Sequence, residues 1–157
     1  MGEGKLQQEL KKKRAFASLE QEAAIGLLRT SDQISIRLAR LFREFDLTPS
    51  QYNVLRILRG EGKPLPILEI AERTITVVPG ITGLIDRLEK AELVSRIRCE
   101  EDRRVIYVAL NERGNKVLAR IDEPLDDLHH QLMRGLTQSE QKELIRLLDK
   151  VRQPLCD

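Results

Sequence analysis

Two adjacent arginines, Arg103 and Arg104, follow three carboxylates, Glu100, Glu101 and Asp102, in the middle of the stretch LVSRIRCEEDRRVIYVAL that runs from Leu93 to Leu110. The runs on either side are β-prone, so the charges fall at the tip of a hairpin. A guanidinium in that position has the reach and the permanent charge to meet phosphate or to enter the narrow, electronegative minor groove of A·T-rich duplex DNA. Asp102 would brace the turn and orient an arginine, and the bland alternative is a solvated turn closed by local ion pairs. A second set of positions lies just upstream on a helix expected from Thr76 to Ala91. Once Ile81, Leu84, Ile85 and Leu88 are turned inward at i, i+3, i+4, i+7 spacing, its outward residues are Val78, Pro79, Gly80, Thr82, Gly83, Asp86, Arg87 and Lys90. The first five cannot form the bidentate hydrogen bonds that discriminate bases. Thr82 can bond one base edge or touch a thymine methyl, and Gly80 and Gly83 allow close backbone approach to a groove wall or close packing of helices. Arg87 and Lys90 suit phosphates.

Other chemistry finds no constellation. His129 and His130 are adjacent, so on a helix they point about 100° apart and cannot share a metal without outside help. Asp122, Glu123, Asp126 and Asp127 have the spacing of a solvated helix face. Cys99 and Cys156 form no CxxC pair, so they are expected to be structural thiols, with a redox role for Cys99 the lesser alternative because it lies on the hairpin. No phosphate-binding glycine loop, nucleophile elbow or HExxH is present. The expectation is a protein that is not an enzyme and holds no metal or cofactor.

The 157 residues are 41% hydrophobic and 33% charged, which predicts one folded globular domain. The net charge of +2 is unevenly spread: residues 1–60 carry +4, whereas residues 61–110 and 111–157 carry −1 each. Binding to a polyanion must therefore rest on placement of individual cations, duplicated in a dimer. With no Trp, two Tyr and three Phe there is little for unstacked bases to stack on, which disfavours single-stranded nucleic acid. No apolar run approaches the length of a membrane span and the N-terminus lacks the apolar segment of a signal peptide, so no membrane partner and a cytoplasmic location are expected.

The elements that position the arginines follow from periodicity and caps. Residues 1–15 form a polar extension with the basic run Lys11 to Arg14, expected to be a frayed helix end or an arm for phosphates. Residues 16–46 carry an apolar stripe of one long helix, or two with a break near Thr30. Thr48-Pro49-Ser50-Gln51 is a capping box with proline at the first helical position, and Gly60-Glu61-Gly62 stops the helix it opens. A short helix then runs from Pro66 to about Arg73. Thr74 and Ile75 turn the chain into the helix before the hairpin. Asn111 is the expected cap of a long helix reaching Arg134 and kinked at Pro124, and Thr137-Gln138-Ser139-Glu140 opens the last one. The sum is a mainly α (α+β) chain: a winged helix-turn-helix lobe over residues 48–110, with long N- and C-terminal dimerisation helices over residues 16–46 and 112–152.

The segments LTPSQYNVLRIL, LEIAERT, ITGLIDRLEKAELVSR, EDRRVIYVALNERG and LTQSEQKELIRLLDKV, in that order, resemble the MarR family of bacterial transcriptional regulators over roughly Leu38 to Arg152. The resemblance implies a homodimer that binds a pseudo-palindromic operator in double-stranded DNA. It also implies a repressor released when a small, often phenolic or aromatic, ligand binds between the dimerisation helices and the DNA-binding lobe. Asp102 and Arg104 match the family's wing motif and Thr82 a threonine of its recognition helix. Three positions depart from the pattern: Gly83 stands where an arginine is frequent, Glu92 where a helix-ending glycine is usual, and the N-terminal helix lacks the cysteine of the peroxide-sensing branch. Glu92 should strain a left-handed turn by roughly 1 kcal/mol or alter the exit towards the wing. The rival reading is a winged-helix protein-interaction module without DNA binding, which the sparse recognition face and the acidic middle third would permit.

Overall fold

The computed structural model describes residues 4–156, which pack as two compact units, the first ending at Arg40 and the second beginning at Leu41. In the first unit a short helix α1 (Lys5–Glu9) precedes the long α2 (Leu19–Arg43), which continues into the second unit. The basic run between them is a folded turn rather than a frayed end: Lys11 adopts φ 49°, and Lys12 Nζ donates to the carbonyls of Arg14 and Ala15 at 2.9 and 3.3 Å. Ser18 starts α2, its Oγ accepting from the Gln21 N–H at 3.2 Å, so Phe16 lies ahead of the helix. The helix passes Gly26, Thr30 and Ser31 without interruption, which is the one-helix alternative rather than two helices broken near Thr30.

All buried apolar side chains among the described residues belong to the second unit. Its centre is α3 (Pro49–Glu61), which buries Tyr52, Val54, Leu55, Ile57 and Leu58. The Thr48 capping box forms as the spacing predicts, with Thr48 Oγ accepting from the Gln51 N–H at 3.2 Å and Gln51 Oε1 accepting from the Thr48 N–H at 2.9 Å. Gly62, at φ 71°, takes the left-handed conformation that closes the helix and donates to the Leu58 carbonyl at 3.1 Å. The Phe42 and Tyr52 rings stack with centroids 4.2 Å apart.

Leu65 and Pro66 form a two-residue strand, β1, before α4 (Ile67–Glu72). Too short to show alternation and containing proline, it was not legible as a strand. After α4 come α5 (Ile81–Lys90) and the hairpin β2 (Val94–Arg98) and β3 (Ile106–Leu110). The sheet has the order β1-β3-β2, all antiparallel, with Leu65 opposite Val108 and Arg96 opposite the same Val108. Ile70, Leu84, Ile85, Leu88, Val94 and Val108 meet α3 in one core, each fully buried Leu or Ile contributing roughly 1.5–3 kcal/mol.

The long α6 (Glu112–Met133) continues through Pro124 and buries Leu118, Ile121 and Leu125. Arg59 of α3 grips Asp122 of α6 in a bidentate pair at 2.8 and 2.9 Å. At its start α6 comes so close to the hairpin that a Cβ on Gly114 would sit 2.5 Å from both the Leu110 side chain and the Leu93 carbonyl. The final helix α7 (Gln138–Arg152) opens on the expected capping box, with Thr137 and Glu140 bonding reciprocally, yet it buries none of its residues.

Candidate nucleic-acid interface

The recognition helix is shorter than its periodicity suggests. Residues 76–80 are non-helical, with a turn at Pro79-Gly80, and α5 begins at Ile81, because Pro79 disfavours helical geometry at Val78 and Gly80 adopts φ 72°, ψ 43°, outside the right-handed helical region. Val78 is therefore half-buried, with Pro79 and Gly80 exposed, at the approach to the helix rather than on its face. Thr82 is exposed on the first turn and Gly83 is half-exposed beside it. A Cβ at Gly80 or Gly83 would meet nothing within 4 Å, so close helix packing is not the reason for either glycine. In the last turn Arg87 and Lys90 are exposed, complementing the helix dipole, and neither has an ion-pair partner among the described residues.

The wing tip is a structured turn. The Cys99 N–H donates to the Val105 carbonyl at 3.1 Å and the Val105 N–H to the Asp102 carbonyl at 3.0 Å. Asp102 braces the turn as expected, but through backbone: its Oδ1 accepts from the Arg104 N–H at 3.0 Å. That leaves both tip guanidiniums exposed and, among the described residues, without a carboxylate partner. The bland alternative of local ion pairing at the tip is not what forms. Arg98, at the end of β2, is exposed in the same way and was not singled out by sequence.

The residue that sequence reasoning missed is Arg96. Val94, Arg96 and Arg98 share one face of β2, and there the Arg96 guanidinium lies across α5, 2.5 Å from Asp86 and 3.1 Å from Glu89. It also donates to the Thr82 carbonyl at 3.3 Å, while the Arg96 backbone N–H donates to Glu89 Oε2 at 2.9 Å. Partial burial opposes its charge, but the hydrogen bonds and the fields of the two carboxylates outweigh this and raise its pKa. Strand alternation places this arginine on a face, but nothing local says which helix lies opposite.

The link between α5 and the wing is equally specific. Glu92 takes φ 61°, the left-handed turn its position predicts, with its N–H donating to the Glu89 carbonyl at 2.9 Å. Asn111 takes the expected N-cap position of α6, but its side chain serves this turn instead of a helix N–H: its Nδ2 donates to the Glu92 carbonyl at 3.2 Å, and its Oδ1 accepts from Ser95 Oγ at 2.7 Å. Elsewhere, Cys99 is half-buried, Cys156 is exposed, and both are free thiols. His129 and His130 are exposed on α6, and no metal-binding cluster is found among the described residues. A recess of about 200 Å³ between Leu58, Arg59, Lys63, Leu110 and Asn115 is smaller than the usual small-molecule site.

Comparison with known proteins decides the family. Residues 47–106, spanning α3 to the start of β3, match the model of the MarR family. A MarR transcription factor from Planctomyces limnophilus is 41% identical, with a TM-score of 0.67 over 85% of this chain and 98% of that one. The chain belongs to the MarR family. The HTH-type transcriptional repressor IacR of Pseudomonas putida is 30% identical over 80% of this chain and 74% of its own length. BpsR of Bordetella bronchiseptica, whose DNA binding is regulated by 6-hydroxynicotinic acid, shares the fold, with a TM-score of 0.78 at 20% identity over 88% of this chain and 99% of that one. This MarR protein is accordingly a transcriptional regulator and not an enzyme, a mainly helical chain with a small three-stranded wing sheet. Among the described residues no helix is long and apolar enough to cross a membrane.

Proposed function

We propose that this MarR protein is a cytoplasmic repressor that binds a pseudo-palindromic operator in double-stranded DNA as a homodimer, with α5 in the major groove and the wing in the adjacent minor groove. The observation that carries this reading is the braced wing tip, where Asp102 is spent on backbone and Arg103 and Arg104 stand uncovered. Phosphates fall to Arg87 and Lys90, and close groove approach to Thr82, Gly83 and the Val78-Pro79-Gly80 turn. Two recognition helices would occupy successive major grooves about 34–36 Å apart. Dimerisation is assigned to residues 16–46 and 112–152, and α7 supports it with a capped, amphipathic helix that leaves Ile145, Leu147 and Val151 exposed. Release by a small phenolic or aromatic effector is proposed by analogy with BpsR.

A gel shift with the protein's own upstream DNA tests the reading. A saturable shift that resists non-specific competitor supports the regulator, and no shift at low salt returns the fold to a protein-interaction module. With a binding duplex in hand, 6-hydroxynicotinic acid and simple phenols are titrated in. Loss of the shift together with a raised melting temperature identifies an effector, the stabilisation growing to about 2.7 kcal/mol at a hundred times Kd.

A further inference from the structure

The recognition helix presents a carboxylate where DNA phosphates would come close. Asp86 lies one turn beyond Thr82 and one turn before Lys90 on the exposed surface of α5, and Glu89 flanks it. Left bare, these two charges would offset Arg87 and Lys90 and repel the backbone of a duplex. Arg96 reaches over from β2 to both of them, contacting Asp86 at 2.5 Å and Glu89 at 3.1 Å. Its side chain is only 21% exposed, against 52% for Asp86 and 42% for Glu89, so the arginine is committed to the carboxylates rather than to solvent. The guanidinium's remaining contact, to the Thr82 carbonyl at 3.3 Å, ties it to the first turn as well.

We infer that Arg96 is a positioning residue that makes α5 acceptable to DNA by holding both Asp86 and Glu89 and offsetting one of their two negative charges, without itself contacting the duplex. This rests on the DNA-binding reading above. Arg96 contributes its charge to the protein's own helix: Arg87 and Lys90 are balanced by Asp86 and Glu89, and Arg96 tips that local set from zero to +1. It differs from Arg103 and Arg104, whose charges remain free for phosphate.

The experiment is a charge cycle read by DNA affinity on one operator duplex, with thermal melting of every variant to establish folding. Arg96→Gln is expected to weaken binding roughly tenfold, since a like charge is then set against phosphate. Arg96→Lys, which retains the charge, is expected to stay within a few-fold of wild type. The decisive variant is Asp86→Asn/Glu89→Gln combined with Arg96→Gln, which is expected to recover affinity because no carboxylate remains to be cancelled. The same pair of neutral substitutions should gain several-fold less when Arg96 is intact. If the triple variant stays weak with the salt slope reduced, Arg96 is a phosphate ligand, and if it stays weak with the slope unchanged, Arg96 is only a brace; either result overturns the inference. Equal gains in both backgrounds overturn it too. Unaltered binding by Arg96→Gln removes this inference while leaving the DNA-binding reading intact, and a wild-type protein that shifts no DNA removes both.

Discussion

At the scale of single residues, what separates the arginines of this lobe is whether a carboxylate already holds them. Arg59, Arg73 and Arg96 are paired across elements or turns, whereas Arg103 and Arg104 are exposed with their neighbouring aspartate occupied by a backbone N–H. Arg104→Ala should therefore weaken operator binding and lower the slope of log affinity against log salt by about 0.9 for each phosphate it ceases to neutralise, read by fluorescence anisotropy across a salt series. Unchanged affinity and slope would exclude the wing from the interface. The Arg59–Asp122 pair makes a prediction about pH. The hydrogen bond from Arg59 holds the Asp122 carboxyl below its usual range, so the pair stabilises the fold above the unfolded carboxylate pKa of about 3.9, and that stability is lost as pH falls through the lower folded value. Both side chains are more than a third exposed, which limits the effect to below about 1 kcal/mol. Asp122→Asn should melt slightly below wild type at pH 7, and the gap should close in acid.

At the scale of elements, the passage from α5 through the wing to α6 is where local preference and tertiary demand disagree. Glu92 holds a left-handed conformation that costs a side-chain-bearing residue roughly 1 kcal/mol, and its ion pair to Arg113 at 3.2 Å is an exposed one. Glu92→Gly should accordingly raise the unfolding free energy by up to about 1 kcal/mol in urea titration. Gly114 is under the opposite constraint, since any Cβ there collides with the Leu93 carbonyl, a backbone atom that already accepts from the Asn111 N–H at 3.0 Å. Gly114→Ala should destabilise by about 1–3 kcal/mol, measured in the same way. If it does not, α6 packs less closely on the hairpin than the 2.5 Å approach requires.

At the scale of the whole molecule, α7 is well capped and amphipathic but buries nothing within its own chain. Ile145 is 60% exposed and Leu147 45%, and the proposed homodimer would cover them with a second copy. Ile145→Asp with Leu147→Asp should convert a dimer to monomers in sedimentation velocity and, since each half-site then binds alone, reduce operator affinity steeply. A wild-type protein that sediments as a monomer at micromolar concentration would remove the two-fold operator from the proposal.

Much of this molecule follows from rules that act over a few residues. The Thr48 and Thr137 capping boxes, the Gly62 stop, the inward stripe of α5 and the DRR turn were all legible from sequence because each depends on neighbours within one turn of chain. The family resemblance rests on the same local motifs in order, and the shape of the wing follows from them. Tertiary structure alone decided what meets across the fold. It turned the Asn111 side chain from the α6 N–H groups to the Glu92 carbonyl, recruited Leu65 and Pro66 as a third strand and laid Arg96 over Asp86 and Glu89. Those contacts join residues with no periodic relation to each other, and their partners are chosen by the packing of α3, α5 and the sheet into one core. The braced tip arginines were therefore predictable, and the arginine that holds the carboxylates of the recognition helix was not.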